Sequence, residues 1–418
     1  MTRALSITIL FFSLQAWSQQ DYAKALMDSL CSERYDGRGY VNQGDVRSGD
    51  FITRELMNIG VDPFKECEYT QEYTLNVNTF PDSMLVVIDR DTLIPGEDYL
   101  VQSNSGSANG SWKLKEINSS NYEAYLKQPS ELKSLRKEGY IPLFNFTDWK
   151  ERTKIQSVKE IAQKAMRFTP VVWIEKNEQM FSVGRSQENY PLISIDSADF
   201  KGGSAITLKI RNEYIPNYRS KNIIGYIPGK RKRRYIVFSA HYDHLGRMGS
   251  ETYFPGANDN ASGVAMLLSL AKYYREHRPK YSIVFCFFSG EEAGLVGSRY
   301  FVNHAFMKTK RIKFVLNVDI MGGASKGITL VNGTVHKKAF ATFEKINAQK
   351  NYLERIKKRG PTANSDHYFF SQLGVPAFFI YSMGAVRNYH DVYDTAENTP
   401  LNRFNEVQNL LIDFVDEQ

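Results

Sequence analysis

The stretch YSIVFCFFSGEEAGLVGS, from Tyr281 to Ser298, places eight mostly apolar residues before a short turn and two adjacent carboxylates. An apolar run of this length that ends at a turn predicts a strand buried on both faces of a sheet. Adjacent like charges raise each other's pKa unless a cation lies near them. The pair Glu291 and Glu292 therefore indicates a cation site at the end of a buried strand.

The second half of the chain alternates apolar strands with helices. Strands are predicted at YIVFSA, SIVFCFF, IKFVLNV and VPAFFIY, and helices from about Ala261 to Glu276 and around Gly294 to His304. Continuous apolar strands separated by helices are typical of a sheet covered on both faces. We therefore predict an α/β fold with a mixed, largely parallel central sheet and helices on both faces. Ligands of such sheets bind beyond the carboxyl ends of the strands.

The first residues, MTRALSITILFFSLQAWSQQ, carry one arginine, an apolar stretch from Ala4 to Trp17 and a small-x-small site ending at Ser18. This arrangement is typical of a secretory signal peptide, and we expect residues 1–18 to be removed. No other run in the sequence approaches the ~20 apolar residues of a membrane span. The sequence thus predicts an exported protein, periplasmic or secreted, with no membrane anchor after signal removal.

The remaining chain divides into three parts by its pattern. Residues 19–76 read as mainly helical and form the N-terminal part of the main domain. Residues 77–214 change to short strands such as SMLVVI, TPVVWIE and YPLISI with Gly, Ser and Asn turns, which predicts an inserted β-rich domain. Residues 215–418 hold the alternating strands and helices of the main domain.

The formal net charge is +7, and much of the excess lies in one run from Gly229 to Arg234. A basic run can bind nucleic acid or a membrane surface. Because this one directly precedes the strand YIVFSA, we interpret it as a solvated hairpin tip and expect no nucleic-acid partner. Of the three cysteines, Cys286 is expected to be a buried thiol, while Cys31 and Cys67 could pair as a disulfide in an oxidising compartment.

Metal-competent side chains stand at the ends of the strands in the second half of the chain. They are His241 and Asp243 after YIVFSA, Asp259 before the next helix, Glu291 and Glu292 after SIVFCFF, Asp319 after IKFVLNV, and His390 after VPAFFIY. Two imidazoles with three of these carboxylates are too few ligands for two closed structural zinc sites, but they are enough for two open sites if one carboxylate bridges the two ions. Such ligands suit zinc, with cobalt or manganese as substitutes. One glutamate of the pair can then bind a metal ion while its neighbour takes a proton from water.

Each of these residues has an ordinary structural explanation when it is taken alone. A His-x-Asp sequence is usually a surface turn, and Glu-Glu after a strand usually starts a helix, where acidic residues complement the helix dipole. Asp259 could simply cap the helix that follows it. Five such positions in succession are an improbable coincidence, so together they favour a metal centre.

Six stretches, in order along the chain, resemble the motifs of the di-zinc aminopeptidase family, which includes bacterial leucyl aminopeptidases, aminopeptidase Y and glutamate carboxypeptidases. They are SAHYDHLG, GANDNASGVA, FFSGEEAGLVGS, NVDIMG, SDHYFF and YHDVYDT. The match covers roughly 21–76 and 222–418, and Asp36-Gly37-Arg38-Gly39 also resembles the N-terminal segment of the family. The resemblance implies the zinc-exopeptidase fold, and the insert resembles a protease-associated domain in its β-rich character and its strand YPLISID.

The resemblance also implies a set of metal ligands for two zinc ions. His241 and Asp319 would bind one ion, Glu292 and His390 would bind the other, and Asp259 would bridge them. The peptide bond that follows the bridging aspartate, Asp259–Asn260, would be cis.

Other matching positions imply roles beside the metal ions. Glu291 would be the general base, and Asp243 would orient His241. Tyr389 matches a tyrosine that hydrogen-bonds the tetrahedral intermediate in some members, with a packed aromatic as the alternative interpretation. Asp366 matches a position near the site.

The function implied is hydrolysis of peptides from the amino terminus by an exported aminopeptidase with two zinc ions. Glutaminyl cyclisation, on a related fold with one zinc ion, is an alternative, and carboxypeptidase or dipeptidase activity is a closer one. Some relatives have lost the ligands and act as receptor ectodomains, so a receptor-like binding protein is the non-enzyme alternative. The side-chain specificity, the native metal and the oligomeric state are left open.

Overall fold

The computed structural model describes residues 19–64, 68–126, 132–176, 180–384 and 386–418. The predicted signal peptide, 1–18, and Cys67 lie outside the described residues. Within these ranges, no helix has the length and apolar character that a membrane span requires.

The strands and helices of the described ranges are named here in chain order. The strands are β1 (Asp62–Pro63), β2 (Thr70–Thr79), β3 (Leu85–Ile88), β4 (Asp91–Leu93), β5 (Tyr99–Val101), β6 (Ala108–Ile117), β7 (Tyr140–Asn145), β8 (Val171–Glu175), β9 (Leu192–Asp196), β10 (Ala205–Ile210), β11 (Glu213–Ile227), β12 (Arg231–His241), β13 (Tyr281–Phe288), β14 (Ile312–Val318), β15 (Ile328–Val331), β16 (Ile356–Lys358) and β17 (Ala377–Ser382). The helices are α1 (19–30), α2 (Gly44–Ile59), α3 (Glu123–Leu126), α4 (Leu132–Lys137), α5 (Arg152–Ala165), α6 (Ser262–Glu276), α7 (Val296–Asn303), α8 (Lys337–Lys350), α9 (His367–Gln372) and α10 (Phe404–Asp416).

The opening stretch forms β13, which is buried along its whole length inside a nine-stranded sheet. The order of strands in this larger sheet is β1-β11-β13-β12-β14-β17-β15-β16, with β2 paired to β11. Strands β13, β12, β14 and β17 run parallel to one another. Antiparallel pairs join β11 to β13, β1 and β2, and β15 to β17. The predicted fold class, α/β with a mixed and largely parallel sheet, is confirmed.

Helices cover both faces of the larger sheet because its central strands are apolar on both sides. On one face lie α1, α2, α6, α8 and α10, where for example Phe343 of α8 and Phe414 of α10 contact Phe378 of β17. On the other face, Phe301 of α7 and Phe370 of α9 pack against Phe288 of β13. The two layers leave only the ends of the strands open to a ligand.

A second sheet of eight strands, in the order β4-β3-β10-β6-β7-β8-β9-β5, is formed between β2 and β11. These two strands pair antiparallel in the larger sheet, so they lead the chain out of it and back into it. One face of the second sheet packs against Leu245, Met248 and Phe254, which lie in the loop after β12. Its other face packs against α4 and α5. The assignment of 77–214 as a separate, protease-associated-like domain stays a prediction.

Two local expectations are wrong. Residues 70–76, expected to continue a helical pattern, belong to β2, in which Tyr73, Leu75 and Val77 are buried at alternate positions. The basic run is exposed, as expected, but it is not a hairpin tip. Arg231 already begins β12, and β13 lies between β11 and β12, so no hairpin joins those two strands.

The cysteines and the insert also differ in part from expectation. Cys286 is a buried free thiol, as predicted. Cys31 is a buried free thiol as well, and Cys67, its alternative disulfide partner, lies outside the described residues. The insert contains the 14-residue helix α5 in addition to its strands.

Candidate metal centre

The parallel strands end level with one another at one edge of the larger sheet. In the β12–β13 pair, His241 lies opposite Phe288, three residues before Glu291. In the β12–β14 pair, Ser239 lies opposite Asn317, and Asp319 therefore follows at the level of His241. The side chains predicted as ligands thus meet where ligands of such sheets bind.

The loop between β12 and α6 carries Asp259, and Arg38 holds this loop from the N-terminal segment. Arg38 is completely buried and donates hydrogen bonds to the carbonyl oxygen atoms of Tyr242 at 2.9 Å and of Pro255 and Gly256 at 2.6 Å. Buried carbonyl groups outside a sheet or helix need such donors. One side chain therefore ties the start of the loop to its end.

Asp394 fixes the backbone at the bridging position itself. Its two carboxylate oxygen atoms accept hydrogen bonds from the backbone N–H groups of Asn258 at 2.8 Å and of Asp259 at 3.0 Å. The peptide bond Asp259–Asn260 is cis, which confirms the expectation from sequence. The carboxylate of Asp259 lies between His241, which ends β12, and His390, which follows β17.

The first histidine, His241, contacts two carboxylates with its Nε2 atom. This atom lies 3.1 Å from Asp259 Oδ1 and 3.3 Å from Asp319 Oδ1. Its Nδ1 atom lies 3.1 Å from the backbone carbonyl oxygen of Asp243 but 3.8 Å from that residue's carboxylate. The carbonyl is therefore the nearer acceptor, and it leaves Nε2 free to face a metal ion. The Asp243 carboxylate instead accepts a hydrogen bond from the backbone N–H of Glu291 at 3.2 Å.

The second histidine, His390, completes the other half of the cluster. Its Nε2 atom lies 3.3 Å from Asp259 Oδ2 and 3.3 Å from Glu292 Oε2. The two oxygen atoms of Asp259 therefore face different histidines. This is the arrangement that a bridging carboxylate between two metal ions requires.

The donor set of the cluster fits metal ions. Three groups of ligand atoms, each within 4.8 Å of one another, combine histidine with carboxylates: His241 with Asp259 and Asp319, His241 with Glu291 and Glu292, and His244 with Asp259 and Glu292. Asp259 Oδ1 and His390 Nε2 are buried, and their contacts with chain atoms at 3.1–3.3 Å lack hydrogen-bond geometry, so neither atom has a hydrogen-bond partner within the described ranges. Buried polar atoms are nearly always paired, so these atoms indicate a ligand that is not part of the chain. Oxygen and imidazole donors suit zinc.

The charges of the cluster point the same way. Burial would lower the pKa of His241, but the carboxylates of Asp319 and Glu291 raise it well above its usual range. Burial raises the pKa of Glu291 well above its usual range, and the adjacent Glu292 adds to this increase. Burial would also raise the pKa of Glu292, but the imidazole of His390 holds it at about 2. The site thus carries an excess of carboxylates that protons or metal ions must compensate.

Tyr389 and Asp366 also lie close to the cluster. Tyr389 stacks on the ring of His390, with centroids 4.0 Å apart and planes at 14°, and its side chain remains 40% exposed. Asp366 is fully buried, burial raises its pKa to about 6, and neither of its carboxylate oxygen atoms has a partner in the described part of the chain. The structure therefore brings both predicted residues to the site without a contact that assigns their roles.

His244 belongs to the site and was not predicted from the sequence. Its Nδ1 atom lies 2.9 Å from Glu292 Oε1, and its ring meets that of His390 edge to face at 5.8 Å. Burial lowers the pKa of His244, which favours the neutral ring with a proton on one nitrogen. Its position in SAHYDHLG, three residues after His241, was the available signal.

Comparison with known proteins points to a family. Residues 222–415 match the model of peptidase family M28. Over these residues, which are just under half of the chain, the chain is similar to this family. The histidine and carboxylate residues of the candidate metal centre all lie within the matched region, while Arg38 lies outside it.

Curated relatives agree with the M28 match. Aminopeptidase YwaD of Bacillus subtilis is 27% identical over 319 residues, which are 73% of this chain and 66% of the relative. A probable zinc metalloprotease of Pyricularia oryzae is 38% identical over 107 residues, which are 25% of this chain and 21% of the relative. The chain thus spans less than two thirds of the length of these relatives.

Solved structures share the fold over most of the chain. The zinc aminopeptidase BSAP from Bacillus subtilis has a TM-score of 0.68 at 19% identity, over 95% of this chain and 94% of that chain. An M28 peptidase precursor from Shewanella amazonensis has a TM-score of 0.70 at 16% identity, over 98% and 96%. At such identities these matches show the fold alone.

Proposed function

We propose that this protein is a zinc-dependent aminopeptidase with two metal ions. The observation that carries the proposal is the position of Asp259, whose two carboxylate oxygen atoms face His241 and His390 separately. The M28 match and the similarity to aminopeptidase YwaD support the reaction class.

The cluster divides into two sets of ligands that share one carboxylate. His241 and Asp319 would hold one ion, Glu292 and His390 would hold the other, and Asp259 would bridge them. When bound, the pair of ions would lower the pKa of a water molecule and polarise the scissile carbonyl group.

Glu291 is the proposed general base. Its backbone N–H donates a hydrogen bond to the Asp243 carboxylate at 3.2 Å. In the sequence it directly precedes the proposed ligand Glu292. Because its pKa is raised by burial and by Glu292, its carboxyl group is a better proton acceptor than an exposed glutamate. It would take a proton from water as the scissile carbonyl is attacked, and then give this proton to the leaving amine. Tyr389, half-exposed above His390, is proposed to donate a hydrogen bond to the substrate carbonyl oxygen.

The test is product analysis by mass spectrometry on a pool of free and N-acetylated peptides. We expect stepwise loss of amino-terminal residues from the free peptides only, abolished by a chelator and restored by zinc. Loss of ammonia from N-terminal glutamine would indicate a cyclase, and loss of C-terminal residues would indicate a carboxypeptidase. Binding of peptides without cleavage by the zinc-loaded protein would indicate a binding protein and overturn the proposal.

We also propose that the protein is exported. The apolar stretch from Ala4 to Trp17 and the small residues around it support a signal peptide. Intact-mass analysis of the protein from the periplasm or the medium should give a chain that begins at Gln19. A mature chain that retains residues 1–18 would contradict this expectation.

A further inference from the structure

A segment of the second-sheet region reaches the metal centre at His390. The segment, Met180 to Arg185, lies in the connection between β8 and β9 and is called the β8–β9 segment here. The backbone N–H of Phe181 donates to the carbonyl oxygen of His390 at 3.0 Å, and His390 Nδ1 lies 3.1 Å from the carbonyl oxygen of Phe181. With its Nδ1 proton donated to that carbonyl, the His390 ring presents Nε2 to Asp259 and Glu292.

The β8–β9 segment is itself fixed at Phe181 and again three residues later. The Phe181 side chain is only 5% exposed and stacks on Phe254 with centroids 4.7 Å apart and planes at 9°. Three residues later, the carbonyl oxygen of Gly184 accepts a hydrogen bond from the backbone N–H of Asn78 at 2.8 Å. A Cβ atom at Gly184 would lie 2.0 Å from the carbonyl oxygen of Ser103, so only glycine fits there. The segment can therefore act as a rigid acceptor for the histidine.

His390 has little local support of its own. It lies outside regular secondary structure and has a φ of +56°, a left-handed conformation that is unfavourable for a residue with a Cβ atom. His241 differs, because it ends β12 and its Nδ1 contacts the carbonyl group of Asp243 only two residues along the chain. One histidine is thus oriented by a carbonyl group two residues away, and the other by a segment 209 residues away.

We propose that Phe181 is a positioning residue for His390, and that the β8–β9 segment thereby sets the metal affinity of the half of the centre that contains Glu292 and His390. The half that contains His241 and Asp319 is independent of it. This inference rests on the proposed two-metal site. It assigns to the second-sheet region a function in the metal centre besides any contact with substrate.

The experiment is zinc titration of the full-length mature protein against a competing chromophoric chelator, with no activity readout. The variant Phe181→Ala removes the aromatic anchor that holds the segment against Phe254. We expect the wild type to bind two ions, and Phe181→Ala to bind one ion with unchanged affinity and the second ion 10–100-fold more weakly, the usual effect of losing an orienting partner. Met180→Ala is the matched control, because its side chain is 61% exposed in the same segment, and it should bind both ions as the wild type does.

The unaffected ion serves as an internal control for folding. If Phe181→Ala weakens both ions equally, or neither, the proposal is wrong. Phe181→Leu, which keeps a buried apolar side chain, should restore most of the affinity for the second ion, and failure to do so would also contradict the proposal. A wild type that binds only one ion would refute the two-metal function separately. The Phe181 inference would then stand if Phe181→Ala, but not Met180→Ala, lowers the affinity for that ion, and it would fail otherwise.

Discussion

The substitution Glu291→Gln distinguishes between two roles for Glu291, general base and metal ligand. Glutamine has the same size, cannot accept the proton, and removes one of two adjacent carboxylates. Burial and Glu292 raise the pKa of Glu291 well above its usual range, and Glu291 is not one of the proposed ligands, so metal binding should be nearly unchanged. A general base accounts for about 10²–10⁴ in rate, which corresponds to about 3–5 kcal/mol in activation free energy.

The assay measures kcat and KM on a chromogenic aminoacyl substrate together with zinc content by elemental analysis. We expect kcat to fall by about 10²–10⁴-fold with KM and two bound zinc ions nearly unchanged. The matched control is Glu292→Gln, which removes a proposed ligand from the neighbouring position and should lose zinc as well as activity. Retained zinc with turnover within tenfold of the wild type would refute the base. Loss of zinc from Glu291→Gln would instead make Glu291 a ligand, as its grouping with His241 and Glu292 also permits.

Substitutions at three further residues, Asp394, His244 and Asp45 of α2, give separate tests. Asp394→Asn replaces one acceptor of the Asp259 loop with an N–H donor. It should lower the free energy of unfolding of the metal-free protein, measured by urea denaturation, by about 2–3 kcal/mol. A loss below about 0.5 kcal/mol would contradict the role of Asp394. His244→Phe should weaken zinc binding about 10-fold or more, measured by chelator competition, because Glu292 loses a partner at 2.9 Å, and His244→Asn should restore part of it. Burial raises the pKa of the Asp45 carboxyl from 3.8 to about 6, so folding favours its protonated form. The Asp45 carboxyl should therefore lower the free energy of unfolding of the wild type by about 3 kcal/mol as pH rises from about 4 to above 6. Asp45→Asn should therefore gain stability relative to the wild type over this range, and parallel pH profiles of unfolding would contradict the assignment.

The residues of the candidate metal centre could be placed together from sequence because most of them lie at the end of a strand that is recognisable by itself, or soon after it. Once β12, β13 and β14 are parallel neighbours, His241, Glu292 and Asp319 have to emerge at the same edge. The helical prediction for β2 failed for the opposite reason, since an early helix was extended across a segment whose alternating Tyr73, Leu75 and Val77 already showed a strand. The prediction that the basic run is a hairpin tip was wrong because the order of strands depends on the whole sheet. The sequence around the run shows only that it is exposed to solvent.

The groups that orient the ligands were harder to predict than the ligands themselves, for a physical reason. Ligand chemistry restricts residue type to a few side chains, whereas His241 and His390 are both oriented by backbone carbonyl groups, which every residue carries. For His241 the carbonyl comes from the same loop, two residues on, so local geometry alone nearly determines it. For His390 it comes from Phe181, one of 26 phenylalanines, 209 residues away, and no pattern in either segment indicates the pairing. The half of the centre that needs a distant backbone group is therefore also the half whose metal affinity should respond to changes elsewhere in the fold.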